Sequence, residues 1–245
     1  MSSDSYAPHG AAVWDYFNGN ASAAVTMHTE GGKTKEVPAS IFFRGPSNLL
    51  PLEDLALDLA VASGGRVLDV GAGTGCHSLI LQDRGVEVCA VDVVPVLVEV
   101  MRQRGVRNVC CADIFAFTAP PFDTILLLMN GTVIVERLAR LVAFLDHLRR
   151  LLKPEGQLLL HSADLRRLTD PAELARQEAN RRAGRYFGEN HTQLEYKEKK
   201  GAPFTTLAVD PETLAEEARK AGWSCEVLGE HAEKGYLARL KPLPL

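Results

Sequence analysis

The sequence predicts a doubly wound α/β fold built on a seven-stranded, mostly parallel sheet. Three observations predict it. Short β-branched apolar runs alternate with amphipathic helical stretches between Val67 and His161, a glycine turn at Gly71–Gly75 joins the first run to its helix, and two further strand-like runs close the chain. A chain of 245 residues can bury one sizeable core with additions. A hydrophobic fraction of 46%, a charged fraction of 24% and a net charge of −4 argue against a general nucleic-acid binder and against a disordered acidic chain.

The first ten residues are polar and aperiodic and are expected to be loose, whereas Val13, Trp14 and Phe17 share one face of a short capping helix over Ala11 to Phe17. Asn18 to Gly45 reads as irregular, with Gly31-Gly32 and Pro38 as breakers and Phe42-Phe43-Arg44 near its end. Pro51 opens a helix whose apolar face is Leu52, Leu55, Ala56 and Leu59 and which stops at Gly64-Gly65. Val67 to Val70 then reads as a strand, followed by the glycine turn and a helix from Cys76 to Arg84 ended by Gly85. The alternation continues with a strand at Val86 to Val91, a helix at Pro95 to Arg104, and strands at Val106 to Cys111 and Thr124 to Met129.

A long helix follows, with Leu138, Leu141, Val142, Leu145, Leu148 and Leu152 on its buried face and Pro154 beyond its end. Gln157 to His161 is the fifth strand. The polar helical stretch from Asp164 to Asn190, opened by the capping signal Asp170-Pro171-Ala172-Glu173, reads as an insertion. Thr192 to Val209 has the pattern of a hairpin, Asp210-Pro211 starts a capped helix ending at Gly222, and Ser224 to Leu228 and Tyr236 to Leu240 complete the sheet. The implied plan is a cap or lid (1–50), a ligand-binding core (51–163), a substrate-side insertion (164–210) and the end of the core sheet (211–245).

Five cysteines, odd in number and without a CxxC pair, read as reduced thiols. No signal segment is recognisable, and the apolar stretch Ile125 to Met129 is too short to span a bilayer, so the expected compartment is the cytoplasm and no membrane partner is expected.

A strand ending near Asp69 and running into Gly71-x-Gly73-x-Gly75 leaves bare backbone at a helix N-terminus, which suits a nucleotide-like ligand. Asp92, seventeen residues after Gly75, ends the next strand, where a carboxylate can accept from both hydroxyls of a ribose. Asp113 follows the third strand, where a carboxylate can take an adenine amine; its competing role is that of a loop acid or cap. A nicotinamide dinucleotide is the alternative ligand, but its fingerprint wants glycine where Cys76 stands. An acid at Asp69 suits an ammonium or sulfonium group better than a pyrophosphate.

The runs VLDVGAGTG (Val67 to Gly75), AVD (Ala90 to Asp92), CADIF (Cys111 to Phe115) and FDTILLLMNG (Phe122 to Gly131) resemble the successive motifs of class I S-adenosylmethionine-dependent methyltransferases. The resemblance spans Val67 to His161 and implies the Rossmann-like fold of that family, with S-adenosylmethionine as cofactor and S-adenosylhomocysteine as product. It implies that Gly71, Gly73 and Gly75 approach the cofactor, that Asp69 lies near its methionine end, that Asp92 with Val93 takes the ribose, and that Asp113 with Ile114 holds the adenine. Met129 and Asn130 would border the sulfonium. Phe42-Phe43-Arg44 also resembles a feature of bacterial members, in which Arg44 would pair with the methionine carboxylate; a surface ion pair is the competing role.

Methyl transfer is an in-line displacement that depends mainly on placing the nucleophile at roughly 3–3.5 Å, and a base is needed only if the acceptor must lose a proton. His161, beside Ser162 and Asp164, is the candidate base; its competing role is to hydrogen-bond the loop after its own strand. Tyr16, His28 and His77 have similar standing, with a packing or capping role expected for His77. After the fourth strand Met129-Asn130-Gly131-Thr132 stands where enzymes acting on base or glutamine amines carry Asn/Asp-Pro-Pro and an aromatic residue. His161-Ser162-Ala163-Asp164 lacks the Asp-Asn pair of metal-dependent catechol-type enzymes, and no metal is expected. Arg166, Arg167, Arg176, Arg181, Arg182 and Arg185 are interspersed with acids and read as a solvated helical face rather than a nucleic-acid surface. The expected partner is a small-molecule acceptor methylated on O, N or C, with the oligomeric state open. The alternatives are a NAD-dependent oxidoreductase and a non-catalytic sensor of the same cofactor.

Overall fold

The computed structural model describes residues 3–30, 32–231 and 235–244. The N-terminal stretch expected to be loose is helical: a 3-10 turn over Ser3–Tyr6 runs into α1 (Ala7–Phe17). Its order comes from distant partners, not from its own periodicity. Tyr6 packs on Phe204 with ring centroids 4.8 Å apart, and bare Gly10 lies against Val94 and Val96. Asn18 to Gly45, expected to be irregular, holds an antiparallel hairpin of β1 (Ala24–Thr29) and β2 (Thr34–Pro38), paired from Ala24↔Pro38 to His28↔Thr34. Gly31 lies outside the described residues; Gly32, at φ +77°, takes the left-handed step of the turn. Two 3-10 turns, Ala39–Phe42 and Pro46–Asn48, lead to α2 (Pro51–Ser63), which starts on its proline and stops at Gly64 as expected.

The alternating core follows as β3 (Arg66–Val70), α3 (Cys76–Asp83), β4 (Glu87–Asp92), α4 (Pro95–Gln103), β5 (Val109–Cys111), β6 (Phe122–Leu127), α5 (Leu141–Arg150) and β7 (Leu152–Ala163). Two boundaries depart from expectation. The strand expected from Val106 shortens to Val109–Cys111 because Val106 packs instead against Met101 and Ala90 under α4. The long helix begins as a 3-10 turn, Leu138–Arg140, and ends before Leu152, which already pairs with Phe122; Pro154 falls where the β6–β7 register shifts, a place where its missing N–H is tolerated.

The chain closes through α6 (Pro171–Arg182), β8 (Glu189–Tyr196), β9 (Lys199–Lys200), β10 (Phe204–Leu207), α7 (Pro211–Lys220), β11 (Trp223–Glu230) and β12 (Gly235–Pro242). The Asp-Pro signals work as read: Asp170 accepts from Glu173 N at 2.9 Å, and Asp210 from Thr213 N at 3.1 Å. The main sheet has the order β11-β12-β7-β6-β3-β4-β5, parallel except where β12 runs against both neighbours. Its strands alternate faces. Leu68, Ile125, Leu127, Leu158 and Leu160 pack against α5 and α7, while Val67, Leu126 and Leu159 pack against α2 and α3. Each such fully buried leucine contributes about 1.5–3 kcal/mol, so the two helical layers, not local propensity, hold the sheet.

The second sheet, β10-β8-β1-β2 with β9 on β8, joins segments remote in sequence. β1 pairs with β8 from Thr26↔Glu195 to Thr29↔Thr192, so the N-terminal hairpin and the late hairpin form one layer. Among the described residues no helix is long and apolar enough to cross a membrane.

Candidate active site

The order of successive strands reverses between the parallel neighbours β3 and β6, and a cleft opens there at the carboxyl ends of the strands, where open α/β sheets hold ligands. The turn after β3 is fixed by its own backbone. Gly71 N and Ala72 N donate to Val91 O at 2.9 and 3.1 Å, and Gly71, Gly73 and Gly75 all take positive φ. The three glycines serve different ends. A Cβ on Gly73 would meet no atom within 4 Å, whereas one on Gly75 would strike Val106 at 2.6 Å. Gly71 and Gly73 line the cleft; Gly75 is a packing glycine beneath α4 and lies outside the lining.

Asp69 and Asp92 sit on adjacent strands and are 2% and 7% exposed. Asp69 Oδ2 accepts from Ser78 Oγ at 2.6 Å. The Asp92 carboxylate accepts from Gly73 N and Val94 N, both at 2.9 Å, which ties the turn to β4. Burial pushes Asp92 up to about 6 despite those bonds, with Asp69 adding to the rise. Val93, Asp113 and Ile114 line the same cleft; Asp113 is exposed and also caps its loop by accepting from Phe115 N at 3.0 Å.

Past β6 the backbone takes two left-handed steps, Met129 at φ +52° and Asn130 at φ +61°. Met129 thereby lines the cleft; Asn130 does not. Asn130 N donates to His161 Nδ1 at 2.8 Å, and Asn130 Oδ1 is buried without a partner among the described residues. His161 also lies outside the cleft lining. It holds the loop after β6, not the loop after its own strand. Burial lowers its pKa, with His231 in the same direction and Glu53 opposing.

Arg44 lines the cleft with its guanidinium forked onto Glu53 at 2.6 and 2.7 Å and one nitrogen 3.0 Å from Met129 Sδ. Glu53, 2% exposed, also meets His77 Nε2 at 3.0 Å and accepts from Leu50 N at 2.8 Å. Burial opposes its ionisation, but the bonds from His77, Arg44 and Leu50 outweigh it and hold the carboxyl at about 2. His77 is thus a buried hydrogen-bond partner of Glu53. Tyr16 packs on Phe43, and His28 pairs with Glu195 at 2.7 Å, away from the cleft.

Sequence reasoning missed the wall contributed by Tyr6, His9 and Phe42. His9 and Tyr6 stand at helical spacing behind Val13, but they lie in a polar stretch with no apolar pattern of its own. Phe42 stands out in the sequence only within Phe42-Phe43-Arg44, where Arg44 carries the expected role; the Phe42 carbonyl accepts from Thr74 Oγ1 and from Cys76 Sγ, strapping the segment to the glycine turn, and Arg104 clamps Thr74 O at 2.6 Å. The insertion arginines are mostly spent on acids: Arg166 on Asp164 and Glu212, Arg167 on Glu230, Arg181 and Arg182 on Glu178, Arg185 on Glu30. Arg176 departs from the solvated face, buried at 8% and bound to Glu173 and to Glu189 O. Among the described residues no three His, Cys, Asp or Glu side chains are grouped to hold a metal ion.

A family model described as a methyltransferase domain matches residues 49–227. Among solved structures, a SAM-dependent methyltransferase from Bacteroides fragilis, in complex with S-adenosyl-L-homocysteine, superposes with a TM-score of 0.85 at 34% identity, covering 100% of this chain and 98% of that one. A ubiquinone biosynthesis O-methyltransferase of Xylella fastidiosa is 36% identical over 106 residues, 40% of this chain and 42% of the relative. A demethylmenaquinone methyltransferase of Tropheryma whipplei is 31% identical over 108 residues, 42% of this chain and 43% of the relative. The chain thus matches less than half the length of these curated relatives.

Proposed function

Since the chain belongs to the S-adenosylmethionine-dependent methyltransferase family, we propose that it binds S-adenosylmethionine in this cleft and transfers the methyl group to a small-molecule acceptor. The observation that carries the reading is the gathering of Asp69, the glycine turn, Asp92 and Asp113 from successive strand ends around one cleft. The residues fit the cofactor: at Gly73 a Cβ would stand in open space where a ligand lies against bare backbone, and two buried carboxylates face a ligand that carries an ammonium and a sulfonium.

Bound there, the cofactor supplies an electrophilic methyl group on a sulfonium. Asp92, with Val93, takes the ribose; Asp113 and Ile114 border the adenine; Gly71, Gly73, Asp69 and Met129 line the methionine end. Arg44, preset by Glu53, faces the methionine carboxylate. His161 holds Asn130 N and through it the Met129 turn, and so acts as a positioning residue. The cap (1–50), whose Tyr6, His9 and Phe42 wall the cleft, sheds water from it, and the paired arginines of the insertion (164–210) speak for a small acceptor rather than a polymer. Five free thiols fit a reducing cytoplasm.

Calorimetry with S-adenosylhomocysteine and NAD, followed by an assay of S-adenosylhomocysteine release over phenols, amines, indoles and carboxylic acids, tests the proposal. Binding of the first ligand alone, with turnover on one acceptor class, is the expected result. Binding of NAD alone overturns it, and cofactor binding without turnover on any acceptor favours the sensor.

A further inference from the structure

Two polar side chains in the wall of the cleft have no part in the hydrogen bonds above. Both come from the first nine residues of the chain. Tyr6 and His9 line the cleft, and among the described residues neither side chain makes a hydrogen bond. His9 is not loosely placed. Its ring meets Phe42 edge-on with centroids 4.5 Å apart, and Phe42 is strapped by its carbonyl to Thr74 and Cys76 of the glycine turn. The neighbouring Gly10 seats α1 on the start of α4: a Cβ there would come within 2.4 Å of Val96 and 3.1 Å of Val94.

The helix seat rests on Val94, whose N–H together with Gly73 N holds the Asp92 carboxylate, and the strap fastens Phe42 to Thr74, the residue after Gly73, so His9 is held on the side of the cleft that carries Asp92. Tyr6, one helical turn back, lies within the electrostatic field of Asp92. We infer that His9 is a ribose-binding residue, closing on the sugar from α1 and accepting a hydrogen bond from one of its hydroxyls while Asp92 holds the sugar from β4; the inference rests on the cofactor reading above. Burial pushes His9 down to about 4, so its ring is neutral at physiological pH and one nitrogen offers a lone pair. An aspartate would add a third charge beside Asp69 and Asp92; a neutral imidazole supplies the same acceptor without that repulsion.

The test is calorimetric titration of the full chain with S-adenosylhomocysteine and with its 2′-deoxy and 3′-deoxy analogues, on the wild type and on His9→Phe. Phenylalanine keeps the ring against Phe42 and removes both nitrogens, and His9→Ala serves as the second variant. The expected result is a loss of about tenfold for S-adenosylhomocysteine on His9→Phe, shrinking below about twofold for the analogue that lacks the bonded hydroxyl. Unchanged affinity, or an equal loss for all three ligands, overturns the contact while leaving the cofactor reading intact. A wild-type chain that binds none of the three overturns both.

Discussion

Asp92 is a carboxylate caught between two demands. Its enclosed position favours the protonated form, while two backbone N–H groups favour the charge, as ribose hydroxyls would in the proposed role. With its pKa pushed up to about 6 from the usual 3.8, it works in opposite senses on stability and on binding. The ligand-free fold holds this proton more tightly than the unfolded chain, so the contribution of Asp92 to stability is fully present below 3.8 and is lost as pH rises through 6. Ribose hydroxyls donate to the ionised form, so affinity for S-adenosylhomocysteine should climb as pH rises through about 6 and level off above it. Titrations between pH 5 and 8 should show that step in the wild type and not in Asp92→Asn, which should bind about 1.5–3 kcal/mol more weakly at pH 8. A step of the same size in Asp92→Asn assigns it to another group. The role proposed for Asp92 was legible because strand, turn and acid lie close together in sequence. Its surroundings were not: nothing in the order of residues places Tyr6 in the same cleft or sets Glu53 between Arg44 and His77.

Elements whose signals are local were read well. α6 and α7 start on Asp-Pro with the aspartate capping as expected, and the strand–turn–helix around Gly71–Gly75 follows the sequence closely. Asp210 does more than cap. It is 2% exposed and accepts from Thr213 N, from Thr213 Oγ1 at 2.7 Å and from Tyr186 Oη at 2.5 Å, so it joins α7 to the segment before β8. Asp210→Ala should therefore cost about 2–3 kcal/mol, more than an exposed cap, because Tyr186 and Thr213 N lose their partner in the interior. Urea unfolding with an unchanged slope would report it, and a loss below 0.5 kcal/mol would mean that water reaches the site. Elements whose stability is borrowed were misread. β1 and β2 carry little apolar pattern, and β1 becomes a strand by pairing with β8. α1 begins four residues earlier than its own periodicity suggests because Phe204 and Val96 supply what it packs on.

At the scale of the molecule, the N-terminal hairpin and β8 form one layer, since β1 and β8 share backbone hydrogen bonds and α1 packs on that sheet and on α4. A cofactor contact of the kind inferred for His9 would then be felt in both. Hydrogen exchange with and without S-adenosylhomocysteine should show joint protection of residues 7–17, 24–29 and 189–196; protection of the first range alone would mean that the two segments open independently. Composition, alternation and the glycine turn by themselves determined the sheet, its helical layers, the family resemblance and the acids at successive strand ends, because each of those features is encoded within a few tens of residues. Only the tertiary structure decided that the polar first residues form a wall of the cleft, that Arg44 is committed to Glu53, that His161 holds a neighbouring loop, and that two distant hairpins make one sheet. Those facts depend on contacts between segments far apart in the chain, and periodicity and local spacing carry no term for them.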